Sequence, residues 1–323
     1  MIAPVKTGKS LRDRYIISRV IGRGGMGSIY LADDNRLDGR VCAIKEVYQG
    51  GDIPEDLRAQ GRDQFYREAS VLARLDHPNL PKVSDYFSEA DRDYLVMDFV
   101  PGDDLKSLMD AARKKSHFLP VAEVMGWAAQ IADALEYLHN QDPPVIHRDI
   151  KPSNLKLTPN GLIKLVDFGL VKQMAPDEIT VTVIQGRGTA TYTPLEQYGG
   201  DTGHTDRRSD IYAFGATLYH LLTNQPPAEA KQRFLQPHAL QPLRLINPQI
   251  SSSVEAAILW AMELHPDDRP PHLDAFRQAF IKGSFPRSAT PAKYAGILTG
   301  QIDQALAGAG ALLLLVALLA SIR

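Results

Sequence analysis

Between Tyr15 and Val47 apolar and polar residues alternate in short runs, YIISRVIG, SIYLADD and VCAIKEV, and this alternation predicts three strands. A glycine loop, GRGGMG (22–27), separates the first two. The period then changes. In RDQFYREASVLARL (62–75) Phe65, Ala69 and Leu72 recur at helical spacing, with Val71 and Leu75 widening the stripe. DHPNLPK (76–82) breaks that helix, and two further strand-like runs follow, VSDYFSE and RDYLVMDFV. Beyond the turn PGDD (101–104) the pattern is mostly helical: LKSLMDAARKK, VAEVMGWAAQIADALEYLHN, SDIYAFGATLYHLLTN, SVEAAILWAMEL and HLDAFRQAFI. A small strand-rich half (15–100) thus precedes a larger helical half (101–283). The fold class read from this is α+β, with the chemically distinctive strings in loops at the junction.

The chain has 323 residues, enough for two modest lobes, and 1–14 read as an N-terminal extension. A net charge of −2 gives no global sign of nucleic-acid binding. Cys42 is the sole cysteine, so no internal disulfide forms, which fits a reducing compartment. The opening residues MIAPVKTGKSLRDRY lack the apolar core of a signal peptide. The far end differs. Residues 305–322, ALAGAGALLLLVALLASI, carry no charge or strong polar group. Their length is at the short end of the roughly 17–25 residues that span a bilayer. A buried core helix usually shows one polar stripe, and this segment has none, which favours a membrane span over a final core helix. A linker-like stretch, 284–304, precedes it. The reading is therefore a single transmembrane helix, either a tail anchor or the first membrane helix of a longer chain. Lys282, Arg287 and Lys293 before the span, against Arg323 after it, place the main domain on the cytoplasmic side of the plasma membrane. The small residues ALAGAGA (305–311) permit close helix packing and hence a homodimer.

The chemistry concentrates in HRDIKPSN (147–154) and in DFG (167–169), whose Asp lies thirteen residues after Asn154. A lone Asp is more often a cap or a turn residue. Here Asp149, Lys151, Asn154 and Asp167 occur together, in the order that phosphoryl transfer needs. Asp149 accepts or orients a hydroxyl proton, Lys151 offsets charge on the moving group, and Asn154 and Asp167 are hard oxygen ligands for magnesium, with manganese the alternative metal. The spacing of Gly22, Gly24, Gly25 and Gly27 is GxGxxG, a weak signal alone. A dinucleotide-binding loop opens a helix, whereas SIYLA reads as a strand, which disfavours an oxidoreductase. A glycine hairpin between strands lets backbone N–H groups approach phosphates, with Ile21 and Ile29 flanking an adenine ring. Ala43 is small enough for a flat base to lie over it. Lys45, two residues on, faces the same way, and a carboxylate partner would hold its ammonium toward α- and β-phosphate oxygens; Asp63 and Glu46 are also near, and Glu68 is assigned by its place in the helix pattern.

The ordered set GRGGMG, CAIK, Glu68, HRDIKPSN, DFG, GTATYTPLE, SDIYAFG and HPDDRP resembles the eukaryotic-type Ser/Thr protein kinases, in their bacterial, membrane-anchored branch, over residues 15–283. The resemblance implies a two-lobed fold with ATP in the cleft and protein Ser/Thr hydroxyls as acceptors. It implies a hinge at Asp98–Val100 after Met97 at the gatekeeper position, with Asp104 near the ribose. Lys151 and Thr189 match the Ser/Thr-specific pattern. Glu196 and Arg269 should form a buried ion pair, Asp210 should hold the catalytic-loop backbone, and Leu72, Val83, His147 and Phe168 should stack as a spine. Three positions depart from the family. Cys42 replaces an aliphatic residue, TPLE (193–196) replaces an Ala-Pro-Glu ending, and Lys156 stands where a hydrophobic floor lies beneath adenine. The Lys156 methylene stem should cover the base while the ammonium reaches solvent. If it does not, the alternative is a pseudokinase that signals by association. Arg148 and Lys172 should pair with a phosphate on Thr180 or Thr182 in the activation loop, a modification that membrane tethering favours between neighbours.

Overall fold

The first half of the chain folds into a six-stranded antiparallel sheet. The computed structural model describes residues 4–24, 27–48, 55–90, 92–167, 190–198 and 205–285. The strands are β1 (Ser10–Leu11), β2 (Tyr15–Gly24), β3 (Gly27–Asp34), β4 (Val41–Tyr48), β5 (Val83–Glu89) and β6 (Arg92–Asp98), in spatial order β1-β2-β3-β4-β6-β5. Both faces are buried, which explains why β4 carries apolar residues at nearly every position. Ala43, Val47, Leu95 and Met97 join the inner core, while Cys42, Ile44, Tyr94 and Val96 join a separate outer cluster. The inner face takes helix α1 (Glu55–Arg74) through Phe65, Ala69 and Leu72. This helix begins seven residues before the predicted start at 62. Its opening EDLRAQG has too few apolar residues to show a period.

The outer face is covered by the chain's own beginning. β1 pairs with β2 in the register Ser10↔Ile16 and Leu11↔Tyr15. Val5 and Leu11 pack over Tyr15, Tyr30, Phe87 and Tyr94. The Val5 N–H donates to the Tyr30 hydroxyl at 2.8 Å. That hydroxyl in turn donates to the buried Glu46 carboxylate, which also pairs with Arg92. Arg14 grips Asp34 bidentately, at 2.7 Å through both oxygens. Deleting residues 1–11 therefore removes two buried side chains, about 1.5–3 kcal/mol each. The deletion should lower Tm by about 10 °C in a thermal melt, and an unchanged Tm would show that this strap is dispensable.

The second half is helical: α2 (Leu105–Lys114), α3 (Val121–His139), α4 (Arg207–Thr223), the short α5 (Ala230–Leu235) and α6 (Leu243–Ile246), α7 (Ser252–Ala261) and α8 (Leu273–Lys282). α4 is the central helix, buried from Ser209 to Thr223 on every side. A Cβ at Gly215 would lie 2.9 Å from the Ala261 Cβ, so this glycine lets α4 and α7 approach. Beside α2 lies a three-stranded sheet that the sequence pattern did not predict: β7 (Asp103–Asp104), β8 (Leu155–Leu157) and β9 (Ile163–Leu165). Gly102, at φ 101°, makes it possible, because a Cβ there would meet the Leu157 carbonyl oxygen at 2.0 Å. No described helix is long and apolar enough to cross a membrane. The apolar stretch 305–322 expected to do so lies outside the described residues, as do Phe168, Lys172, Thr180, Thr182 and Thr189.

Candidate active site

The polar strings meet where the sheet faces the helical half. A single 3-10 turn, Pro152–Asn154, follows the HRD string and leads into β8. Within it the side chains lock together. Lys151 Nζ lies 2.9 and 2.7 Å from the two Asp149 carboxylate oxygens. The Asn154 amide donates to the Asp149 carboxylate at 2.9 Å and to the Asp149 carbonyl at 2.8 Å. With its N–H groups so used, the Asn154 amide oxygen keeps its lone pairs for a hard cation. The Val166 N–H donates to the Asn154 carbonyl at 2.8 Å, which ties the strand bearing Asp167 to the same turn.

Asp167 pairs directly with the Lys45 ammonium. Burial acts against its carboxylate, yet Lys45, aided by Lys151, holds the pKa below the ordinary aspartate value. Lys45 stands opposite Ile29 of β3 and Leu95 of β6, and Ala43 stands opposite Met97 on the same face. Glu68, on α1, is buried and accepts from the Gln64 amide at 2.9 Å. Asp167 and Arg148 both have left-handed backbones, φ 59° and 66°, at the two ends of the site.

Asp210 fixes the Arg148 end. It is fully buried at the start of α4 and accepts the His147 and Arg148 N–H groups, each at 2.8 Å, with His139 Nε2 at 2.9 Å. Burial raises the pKa of this carboxyl, but the hydrogen bonds from His139 and from the His147 N–H bring it below the ordinary value. Leu72, Val83 and His147 are all buried. Arg269 meets Glu196 bidentately at 2.6 and 2.8 Å.

The nucleotide residues divide. Gly22 lies against Ile29, and Gly27 at φ 150° lets β3 touch β4, since a Cβ would sit 2.2 Å from the Glu46 carbonyl oxygen. Gly25 lies outside the described residues, as do the side-chain surroundings of Gly24. Ile21 packs against the inner core, and Met97 and Val100 are buried in the stretch leading into the second half, with Asp98 exposed between them. Asp104 caps α2, accepting from the Ser107 N–H at 2.9 Å. Lys156 lies directly between Asp104 and Lys164 in the small sheet, with Leu155 buried on the opposite face. Lys156 is partly buried there.

Three supporting groups escaped the sequence reading. His139 backs Asp210. Asn79 donates its amide to the Ile163 carbonyl at 2.7 Å and accepts the Leu165 N–H through its own carbonyl at 2.8 Å, so it carries the strand that ends near Asp167. The HPN string (77–79) was the available signal, but it read only as a helix breaker. Tyr192, in the segment before Glu196, bonds through its hydroxyl to buried His220 Nδ1 at 2.7 Å. Burial pushes the His220 pKa down to about 4. A depressed histidine stabilises the fold above the unfolded value near 6.5, and this contribution disappears as pH falls toward 4. Melts across that window should lose up to about 3 kcal/mol that a His220→Gln variant does not lose.

A protein kinase domain model matches residues 15–281. The chain belongs to the protein kinase family. Its kinase domain is 36% identical over 281 residues to a probable serine/threonine-protein kinase of Streptomyces coelicolor, covering 83% of this chain and 40% of that one. It is 36% identical to the serine/threonine-protein kinase PrkC of Bacillus subtilis over 269 residues, 81% of this chain and 39% of that one. This chain therefore spans about two fifths of the length of these curated relatives. The crystal structure of the kinase domain of Mycobacterium tuberculosis PknI superposes with a TM-score of 0.65 at 26% identity, covering 87% of this chain and 100% of that one. The two-lobed kinase fold, with an antiparallel-sheet N-lobe and a helical C-lobe, is common to both.

Proposed function

We propose that the chain is an ATP- and magnesium-dependent kinase that transfers the γ-phosphoryl group to Ser/Thr hydroxyls of proteins. The observation that carries this reading is the interlocked set Asp149–Lys151–Asn154 beside the Lys45–Asp167 pair. Asp149 is held with both oxygens directed by Lys151 and Asn154, so it is placed to take the hydroxyl proton. Lys151, within 2.9 Å of it, is a cation for the charge on the moving phosphoryl. Asn154 and Asp167 supply the two protein oxygens, the sparse donor set that suits magnesium bridged to phosphates. The metal, when bound, supplies charge neutralisation on those phosphates. Gly22, Gly27, Ile29, Ala43 and Met97 line the place for the nucleotide. Lys151, next to Asp149, is what favours Ser/Thr over Tyr acceptors.

Arg148 is largely buried, and its Nε has no hydrogen-bond partner among the described residues. That supports a role as receptor for phosphate on Thr180 or Thr182, added by a neighbouring copy. The apolar run 305–322 supports attachment to the plasma membrane with the kinase domain in the cytoplasm and room for a homodimer. The decisive experiment incubates the whole chain with γ-labelled ATP, magnesium and a protein acceptor. Label should enter phosphoserine or phosphothreonine and disappear with EDTA. Nucleotide-dependent thermal stabilisation without any label would instead establish a pseudokinase. Phosphopeptide mapping that leaves both threonines bare removes the regulatory part, and full-length protein that stays in the supernatant removes the anchor.

A further inference from the structure

We infer that two hydroxyl bridges on the flank of α1 set the rotation of that helix about its own axis and so position Glu68. This makes Tyr66, Ser70, Tyr86 and Ser88 positioning residues for the transfer. The inference rests on the kinase reading of Lys45 and Glu68 given above.

Helical geometry separates two jobs on α1. Phe65, Ala69 and Leu72 form the apolar stripe that holds the helix to the sheet. At about 100° per residue, Glu68 lies on one flank of this stripe, while Tyr66 and Ser70 lie together on the other. Burial of an apolar stripe is non-directional and tolerates a small roll. Hydrogen bonds do not, because they weaken steeply outside a narrow range of distance and angle. On the second flank the structure places two of them. The Tyr66 hydroxyl is 3.0 Å from Ser88 Oγ, and Ser70 Oγ is 2.9 Å from the Tyr86 hydroxyl. Ser88 gives its own proton to Asp93, so the Tyr66 hydroxyl must be the donor in the first bridge. The Tyr66 and Tyr86 rings also meet edge to face, with centroids 5.5 Å apart. Both bridges end on β5, next to the strand β6 that lies directly against Lys45.

The lever is short but sufficient. A side-chain tip lies about 5–6 Å from the helix axis, so a roll of about 20° moves it about 2 Å. A misplacement of about 1 Å can cost about 100-fold in rate. The bridges thus convert the chemistry of four hydroxyls, remote from any substrate, into the reach of one carboxylate.

The test uses the full chain, the Tyr66→Phe/Ser70→Ala double variant, and both of these again with Glu68→Gln. Removing the bridges should lower kcat/KM for ATP about tenfold in the presence of Glu68, and less than twofold once Glu68 is Gln. A merely structural role would lower both backgrounds equally, and that result overturns the inference. A second reading needs no catalysis. The Tm changes of Lys45→Met and Glu68→Gln should be non-additive in the wild type and additive without the bridges. Non-additivity that is absent from the wild type, or that persists without the bridges, also overturns the inference. Loss of label in every protein, with the Tm pattern as expected, would sink the kinase reading and leave the bridges standing.

Discussion

Replacing Asp149 by Asn lowers kcat by about 10²–10⁴-fold, the range for loss of a general base, with KM for ATP and Tm close to wild type. The substitution keeps the shape of the side chain and one oxygen. The Lys151 contact at 2.7 Å and the Asn154 contact at 2.9 Å fall on the same oxygen, which can still accept both, so only the second Lys151 contact, at 2.9 Å, is lost. The amide nitrogen that replaces the second oxygen donates and cannot take a proton from the attacking hydroxyl. Asp149 is only partly buried, so the change leaves no orphaned charge in the core and the fold tolerates it. Steady-state kinetics on the full chain check this. A variant that kept more than a tenth of wild-type kcat would show that the hydroxyl needs no base here and that Lys151 and the metal ligands carry the rate.

Arg269→Ala has the largest effect expected on stability, about 3–5 kcal/mol, the cost of removing one partner from a buried ion pair. The guanidinium is buried and reaches five acceptors: Glu196 through both oxygens, the Glu263 carbonyl at 2.7 Å, the Leu264 carbonyl at 2.9 Å and the Arg208 carbonyl at 3.2 Å. It also lies 5.0 Å from the centre of the Tyr212 ring. Without it, the Glu196 carboxylate keeps the Ser209 hydroxyl, at 2.8 Å, as its remaining hydrogen-bond partner among the described residues. Tm should fall by about 10 °C or more. Arg269→Lys should recover less than half of that loss, because an ammonium cannot reproduce the planar fork. Activity should fall faster than stability, since Glu196 anchors the segment 190–198. A melt within about 2 °C of wild type would mean that the pair is structurally idle.

What the sequence made legible follows from where each contact lies along the chain. Asp149, Lys151 and Asn154 are separated by two to five residues in one loop, so their meeting is a local event that spacing alone conveys. The strands around Ala43 and Lys45, and the helices from Leu105 onward, showed their period because each buries a continuous face or stripe. The family resemblance then pointed to the long-range partners Glu196 and Arg269, which no pattern of residues would have joined. The elements that escaped had no period to show. β7, β8 and β9 have two or three residues each and exist because Gly102 fits beneath a carbonyl. The strap at 4–14 has few apolar residues, and its function depends on an aromatic face built from Tyr15, Tyr30, Phe87 and Tyr94 on four different strands. His139 and Asn79 read as ordinary residues, and only the folded chain brings them to Asp210 and to β9.

The left-handed backbones at Arg148 and Asp167 bear on how variants of this protein respond to selection. Asp tolerates that conformation better than most side chains, but for Arg it costs about 1–2 kcal/mol, and glycine there would be free of that strain. Burial also penalises the Arg148 charge. A library enriched for heat resistance alone will therefore drift toward glycine at 148 and toward neutral residues where buried charges gather. The survivors will be more robust and less able to do chemistry. In this protein, activity is not a property that selection for durability preserves.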